Sequence, residues 1–249
     1  MRTVRATRYV APLRQGGSLP ALVEADDDGL YVVKLRGAGQ GPKALVAELV
    51  AGGLGAALSL RVPELVLVDL DPHLADAEPD PEIQELLQAS GGLNAGLDFL
   101  PGALPYLPGG ALDVGADEAA TVVWLDALTE NIDRTPRNTN LLAWHGELWL
   151  IDHGAALYRQ HAGLDPGAAR GRFGQVADHV LLPRAGSIAG ADERLAGMVD
   201  RELIEGLLAP VPDDWLGDLE RSDYAEYLLA RLASPREWVT EAEEARGGG

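Results

Sequence analysis

The chain has 249 residues, 47% of them hydrophobic and 24% charged, enough to bury a core without disulfide or metal staples. It has no cysteine and five scattered histidines without H-x-x-x-H spacing, which excludes a disulfide framework and a thiol nucleophile and argues against a zinc site. With 39 acidic and 20 basic residues the formal charge is −19, no run of Lys or Arg offsets it, and no apolar stretch reaches the roughly 18 residues of a membrane span, so neither nucleic acid nor membrane is an expected partner and a cytoplasmic location is expected.

In chain order, strands are predicted around Tyr9–Leu13, Leu22–Glu24 and Leu30–Leu35, with turns at Arg14-Gln15-Gly16-Gly17-Ser18 and Asp26-Asp27-Asp28-Gly29. Pro42 suits the first turn of a helix over Ala44–Leu58. Leu65–Leu70 reads as a buried strand, Glu82–Gln88 as a short helix and Gly96–Leu100 as a further strand, ahead of a Pro/Gly-rich hinge at Pro101–Gly110. The helix over Asp117–Thr129 is apolar nearly all round and should be buried. Strands Asn140–Trp144 and Glu147–Ile151 flank His145-Gly146, a two-residue hairpin turn. Weak periodicity over Ala162–Ala191 predicts a long mobile loop. One amphipathic helix is expected through Leu195–Leu208 and another over Tyr224–Leu232, and Glu241–Gly249 should fray.

The chemistry concentrates around Asn131–Asn138 and Leu150–Gly154. If His145-Gly146 is the turn, Trp144 pairs with Glu147 and Thr139 lies opposite Asp152. Asn138 and Asp152 then meet at the open end of one ribbon, where an amide oxygen and a carboxylate suit a hard cation such as magnesium, completed by substrate phosphates. Asp133, five residues before Asn138, is placed to orient a hydroxyl or act as general base, with Asn140 as an alternative amide ligand. D-x-x-x-x-N, a hairpin and D-x-G follow protein-kinase logic, Gly154 permitting the turn that follows.

Only two of the basic residues are lysines, Lys34 and Lys43, on either side of a Gly-rich turn. Lys34 ends a predicted strand and Glu48 is the acid in the following helix, the order in which kinases pair a lysine with a glutamate to hold the α- and β-phosphates. Gly16, Gly17 and Ser18 would form a loop covering the phosphates. Together these place ATP and magnesium as cofactors, with a nucleotide-binding regulatory module without turnover as the alternative.

Val32–Leu45, Ala47–Leu49 through Leu60–Pro63, Asn131–Leu142 and Leu150–Ala155 resemble the HipA-like kinases, the likeness covering most of Arg8–Tyr158. Asp-Arg-x-x-x-Asn and Ile-Asp-x-Gly are similar also to phosphoinositide 3- and 4-kinases. The resemblance implies an α+β bilobal kinase fold, with a β-rich lobe over residues 1–100 and a helical lobe over 101–249 carrying the catalytic loop and the metal-binding hairpin. It implies ATP-dependent phosphorylation of a hydroxyl-bearing substrate, a serine or threonine on a protein, and a phosphorylatable serine corresponding to Ser18. His153 stands where many kinases have Phe, and Thr135 where these catalytic loops often have His. The chain is shorter than the full HipA toxins, and the expectation does not extend to a toxin role or an antitoxin partner.

Overall fold

The computed structural model describes residues 1–13 and 19–248; the expected phosphate-covering residues Gly16, Gly17 and Ser18 lie outside them. Five strands close into a barrel: β1 (Thr3–Pro12), β2 (Ala21–Ala25), β3 (Leu30–Lys34), β4 (Leu65–Leu70) and β5 (Gly92–Asp98), in the order β1-β2-β3-β5-β4. All neighbours are antiparallel except β1 and β4, which pair in parallel and close the barrel. Alternate side chains of β2 and β3 turn inward, as the twofold strand period requires, and Val23, Val33, Val66 and Val68 fill the interior.

Helix α1 (Pro42–Ala57) follows β3, with Pro42 in its first turn after Gly41, whose φ is 70°. Every residue from Ala44 to Gly55 is buried, because α1 lies between the barrel and the helical part of the chain. Small residues permit that double contact: a Cβ at Gly53 would stand 2.5 Å from Leu207 and one at Gly52 2.9 Å from Leu65. Helix α2 (Pro81–Ala89) starts on Asp80, whose side chain accepts from the Glu82 amide.

Beyond the barrel, β6 (Leu104–Pro105), β7 (Leu141–Trp144) and β8 (Glu147–Leu150) form a second, small sheet. Trp144 pairs with Glu147 and Leu141 with Leu150, the expected register, and both turn residues take positive φ, 51° at His145 and 80° at Gly146. The ladder ends at Leu141 and Leu150, so Thr139 and Asp152 lie past it. Helix α3 (Ala116–Leu128) is the buried centre of the C-terminal part, Trp124 meeting Trp238 edge to face at 5.6 Å.

Three expectations need correction. Residues 162–191 form short turns and helices, among them α4 (Pro166–Ala169) and the start of α5 (Ile188–Leu195), anchored by buried Phe173, Val176, Leu181 and Leu182; pieces this short leave no periodicity to read. The single amphipathic helix through 195–208 is broken, α6 (Arg201–Leu208) starting afresh on Asp200, which accepts from the Leu203 amide at 2.9 Å. After α7 (Asp213–Leu216) and α8 (Arg221–Leu232), the chain ends in α9 (Glu237–Gly247), held by buried Trp238 and Ala242 rather than frayed.

The barrel's tolerance for volume is lowest at Gly96, where a Cβ would stand 2.5 Å from Val68 Cγ2 and 2.9 Å from Val66 Cγ2. Gly96→Val should destabilise by about 1–3 kcal/mol, lowering Tm by about 2–4 °C per kcal/mol in thermal denaturation.

Candidate active site

Lys34 leaves the end of β3 and reaches across to α1, where its Nζ donates to Glu48 Oε2 at 2.7 Å. The same ammonium bonds Asp152 Oδ1 from the segment after β8. Glu48 has no exposed surface, and its Oε2 accepts a second donor, the His153 amide, at 2.8 Å. Burial by itself would lower the Lys34 pKa, but Glu48 and Asp152 outweigh it and the net direction is up. Burial raises Glu48, with Lys34 opposing and Asp152 adding to the rise. For Asp152 burial is outweighed by Lys34 and the carboxyl is held below the usual range. The cluster is therefore a cation shared by two carboxylates.

Asp152 carries a φ of 56°, a left-handed conformation that Asp tolerates better than most side chains. The sequence assigned the freedom for the turn after β8 to Gly154; in the structure the positive φ falls on Asp152, and the turn over residues 154–157 needs none at Gly154. A Cβ at Gly154 would stand 3.5 Å from Ala44 O and 3.6 Å from Lys34 Nζ, in ordinary contact.

Asp133 follows α3 on a loop closed by a tight turn, in which the Thr135 amide donates to Asn138 O at 2.9 Å and the Asn138 amide returns to Thr135 O at 3.2 Å. Asn138 Nδ2 donates to Asp133 Oδ2 at 2.7 Å. Asn140 does so at 3.2 Å, and it bonds the Asp133 carbonyl at the same length. Lys34, Asp133, Asn138, Asn140 and Asp152 all line one cleft of about 240 Å³, whose apolar walls include Leu35, Ala44, Leu45, Leu141, Leu142 and Ile151. Lys43 is not at this cleft; it bonds Asp218 at 2.6 Å and the Gln160 carbonyl at 3.0 Å. Glu48 lies behind Lys34, and Gly16, Gly17 and Ser18 lie outside the described residues.

A second buried charge cluster, missed in the sequence reading, underlies the Asp133 loop. Arg134 points inward and its Nε bonds Asp126 of α3. Its Nη1 reaches the Asn140 carbonyl and, at 3.3 Å, the Ile151 carbonyl, and its Nη2 lies 3.3 Å from His153 Nδ1. His179 accepts the Leu181 amide on Nδ1, leaving Nε2 to donate to Asp126 at 2.9 Å. Asn131 joins Asp126 to the loop, donating to it at 3.1 Å while its Oδ1 accepts the Asp133 amide at 3.1 Å. Burial would raise Asp126, but Arg134 and then His179 overcome it and hold the carboxyl well below its usual range. Burial and the neighbouring Arg134 push the His153 imidazole down to about 3, so its ring is neutral. The available signal was Asp126 itself: an acid inside an otherwise apolar buried helix must be paired.

The family model for HipA-like kinases matches residues 7–234. No curated protein matches the chain in sequence. Among solved structures it is similar to the Helicobacter pylori proinflammatory kinase CtkA, with a TM-score of 0.55 at 13% identity, covering 99% of this chain and 98% of that one. It is similar also to the Golgi casein kinase solved with Mn and ADP bound, with a TM-score of 0.54 at 12% identity, covering 99% of this chain and 75% of that one. At such identity the likeness is one of fold, and the fold is the bilobal α+β architecture of protein kinases.

Removing the shared cation exposes the cost of the cluster. Lys34→Met leaves Glu48 buried and uncompensated, and should destabilise by about 3–5 kcal/mol near neutral pH. Glu48 would then have a folded pKa raised further above its unfolded value by burial and by Asp152. A group so raised favours the folded state as it takes up its proton, so the variant should recover stability as pH falls from 8 toward 5. Urea denaturation of both proteins across that range measures the sign.

Proposed function

The chain belongs to the HipA-like kinase family, and on that premise we propose that it transfers the γ-phosphoryl group of ATP, with magnesium, to a serine or threonine hydroxyl of a protein. The observation that carries this reading is the convergence of Lys34, Asp133, Asn138 and Asp152 on one cleft, with Lys34 tied to buried Glu48. The divalent metal and ADP in the Golgi casein kinase structure support the nucleotide and metal assignment.

Lys34 is the cation for the α- and β-phosphates, held extended by Glu48 so that its ammonium is already positioned when the nucleotide arrives. Leu35, Ala44, Leu45, Leu141, Leu142 and Ile151 line the same cleft and offer apolar surface to a planar base. The residues for a metal ion are Asn138 and Asp152. They fit magnesium by donor chemistry, one amide and one carboxylate oxygen, a sparse set for a cation that keeps water and phosphate ligands. Among the described residues no three of His, Asp and Glu converge as a fuller metal cage would. Magnesium, when bound, neutralises charge on the β- and γ-phosphates.

Asp133 is the residue for the acceptor. Asn138 and Asn140 both donate to its Oδ2, which fixes the carboxylate plane; among the described residues Oδ1 carries no hydrogen bond and can accept the hydroxyl proton. The barrel with α1 then acts as the nucleotide lobe, divided near residue 100 from the lobe that holds Asp133. An oriented base and a preplaced cation are what phosphoryl transfer needs, since its catalysis is mostly positioning and charge neutralisation.

Thermal melting and transfer of radiolabelled phosphate test this. ATP with magnesium should stabilise the wild type by about 2.7 kcal/mol at a hundred times Kd. Asp152→Asn should lose the magnesium-dependent part of that shift. Asp133→Asn should keep it and lose transfer, whereas an unchanged melt at saturating ATP would refute the site.

A further inference from the structure

His153 has no exposed surface, yet it has polar contacts on two sides. Its amide donates at 2.8 Å to the Glu48 oxygen that also holds Lys34. Its ring Nδ1 lies 3.3 Å from Arg134 Nη2. Because a guanidinium only donates, Nδ1 must accept, and the ring proton sits on Nε2. That Nε2 is buried and has no partner among the described residues. A buried donor without an acceptor is unfavourable, and a phenyl ring would fill the same space without one. What the imidazole adds over a phenyl is the acceptor it presents to Arg134.

Arg134 in turn follows Asp133 directly and grips the loop from below. Besides Asp126 it holds the carbonyls of Asn140 and Ile151, one on each side of the open end of the hairpin. Asn140 bonds Asp133, and Ile151 precedes Asp152. The His153 ring therefore gives an acceptor to Arg134, a side chain that touches both arms of the site, while its backbone amide gives Glu48 Oε2 a second donor; Glu48 Oε1 has none among the described residues.

We propose that His153 is a positioning residue that sets the Asp133 loop in register with the Lys34–Glu48 pair through its Nδ1 bond to Arg134. The proposal deepens the kinase reading and rests on it for its catalytic consequence. It implies that the residue after the metal-binding aspartate acts here through a hydrogen bond, and that ring bulk alone will not replace it.

The test sets His153→Phe against His153→Asn. Phe keeps the bulk and removes the acceptor. Asn places an amide oxygen close to where Nδ1 stands but leaves a cavity, so packing alone ranks Phe above Asn in both Tm and activity. Positioning predicts a split. Phe should have the higher Tm yet lose at least tenfold in kcat, toward the roughly 100-fold that a misplacement of about 1 Å costs, while Asn has the lower Tm and the higher kcat. Activity that follows Tm, with Phe at or above Asn, overturns the proposal. Amide NMR shifts of Asp133, Asn138 and Asn140 in the full chain give a readout without turnover: they should move in the Phe variant and stay near wild type in the Asn variant. If the wild type transfers no phosphate to any acceptor, the kinase reading fails and these amides still decide, unmoved resonances in the Phe variant overturning the positioning role.

Discussion

Glu48 bears its carboxylate where no water reaches it, and the arrangement of the site follows from the need to hold that charge. An ion buried without a partner costs several kcal/mol, so the fold is stable only when donors from elsewhere converge on it. They come from β3, as Lys34, and from the turn after β8, as the His153 amide, segments more than a hundred residues apart in the chain. Barrel, α1 and hairpin are thus constrained to one mutual placement. Lys34, pulled toward Glu48, is brought to Asp152 at the same time.

The packing of α1 makes that convergence possible. A helix with bulky residues on every face could not lie against both the barrel and the C-terminal helices. Gly52 and Gly53 let Leu65 on one side and Leu207 on another approach its backbone. Two ion pairs reinforce the contact, Arg36 with Asp214 and Lys43 with Asp218, each at 2.6 Å. Lys43 is therefore best understood as part of the join between the two halves, which accounts for a second lysine close to Lys34 in a chain otherwise supplied with arginine.

Asp126 repeats the logic of Glu48 at the Asp133 loop. It too is a buried acid, held by Arg134 and His179, and its partners are the groups that shape the Asp133 loop. The two clusters meet at His153, whose backbone serves one and whose ring serves the other. Lys34, Asp152 and Asp133 are thus each tied, directly or through one neighbour, to a buried charge, and the phosphoryl transfer proposed for them would be served by such preorganisation.

How much of this was legible beforehand depended on whether a signal was local. Strand order through β3, the proline start of α1 and the two-residue turn at His145-Gly146 follow from turn chemistry and side-chain alternation, which neighbouring residues determine among themselves. Lys34, Glu48, Asp133, Asn138 and Asp152 could be named from order and spacing, because a D-x-x-x-x-N loop and a hairpin carry their geometry with them. The short turns between 162 and 191 could not be read, since pieces of three to five residues leave no period and Phe173, Val176 and Leu181 are buried only by what packs on them. The charge partners were equally hidden: Asp126 and Arg134 are eight residues apart, but His179 is 53 residues from Asp126, and His153 is 105 residues from Glu48. The sequence by itself determined which groups are present and in what order. Which buried charge each one answers, and that the positive φ falls on Asp152 rather than on a glycine, was decided by tertiary structure, because an ion without water takes its partner from whatever the fold brings within reach.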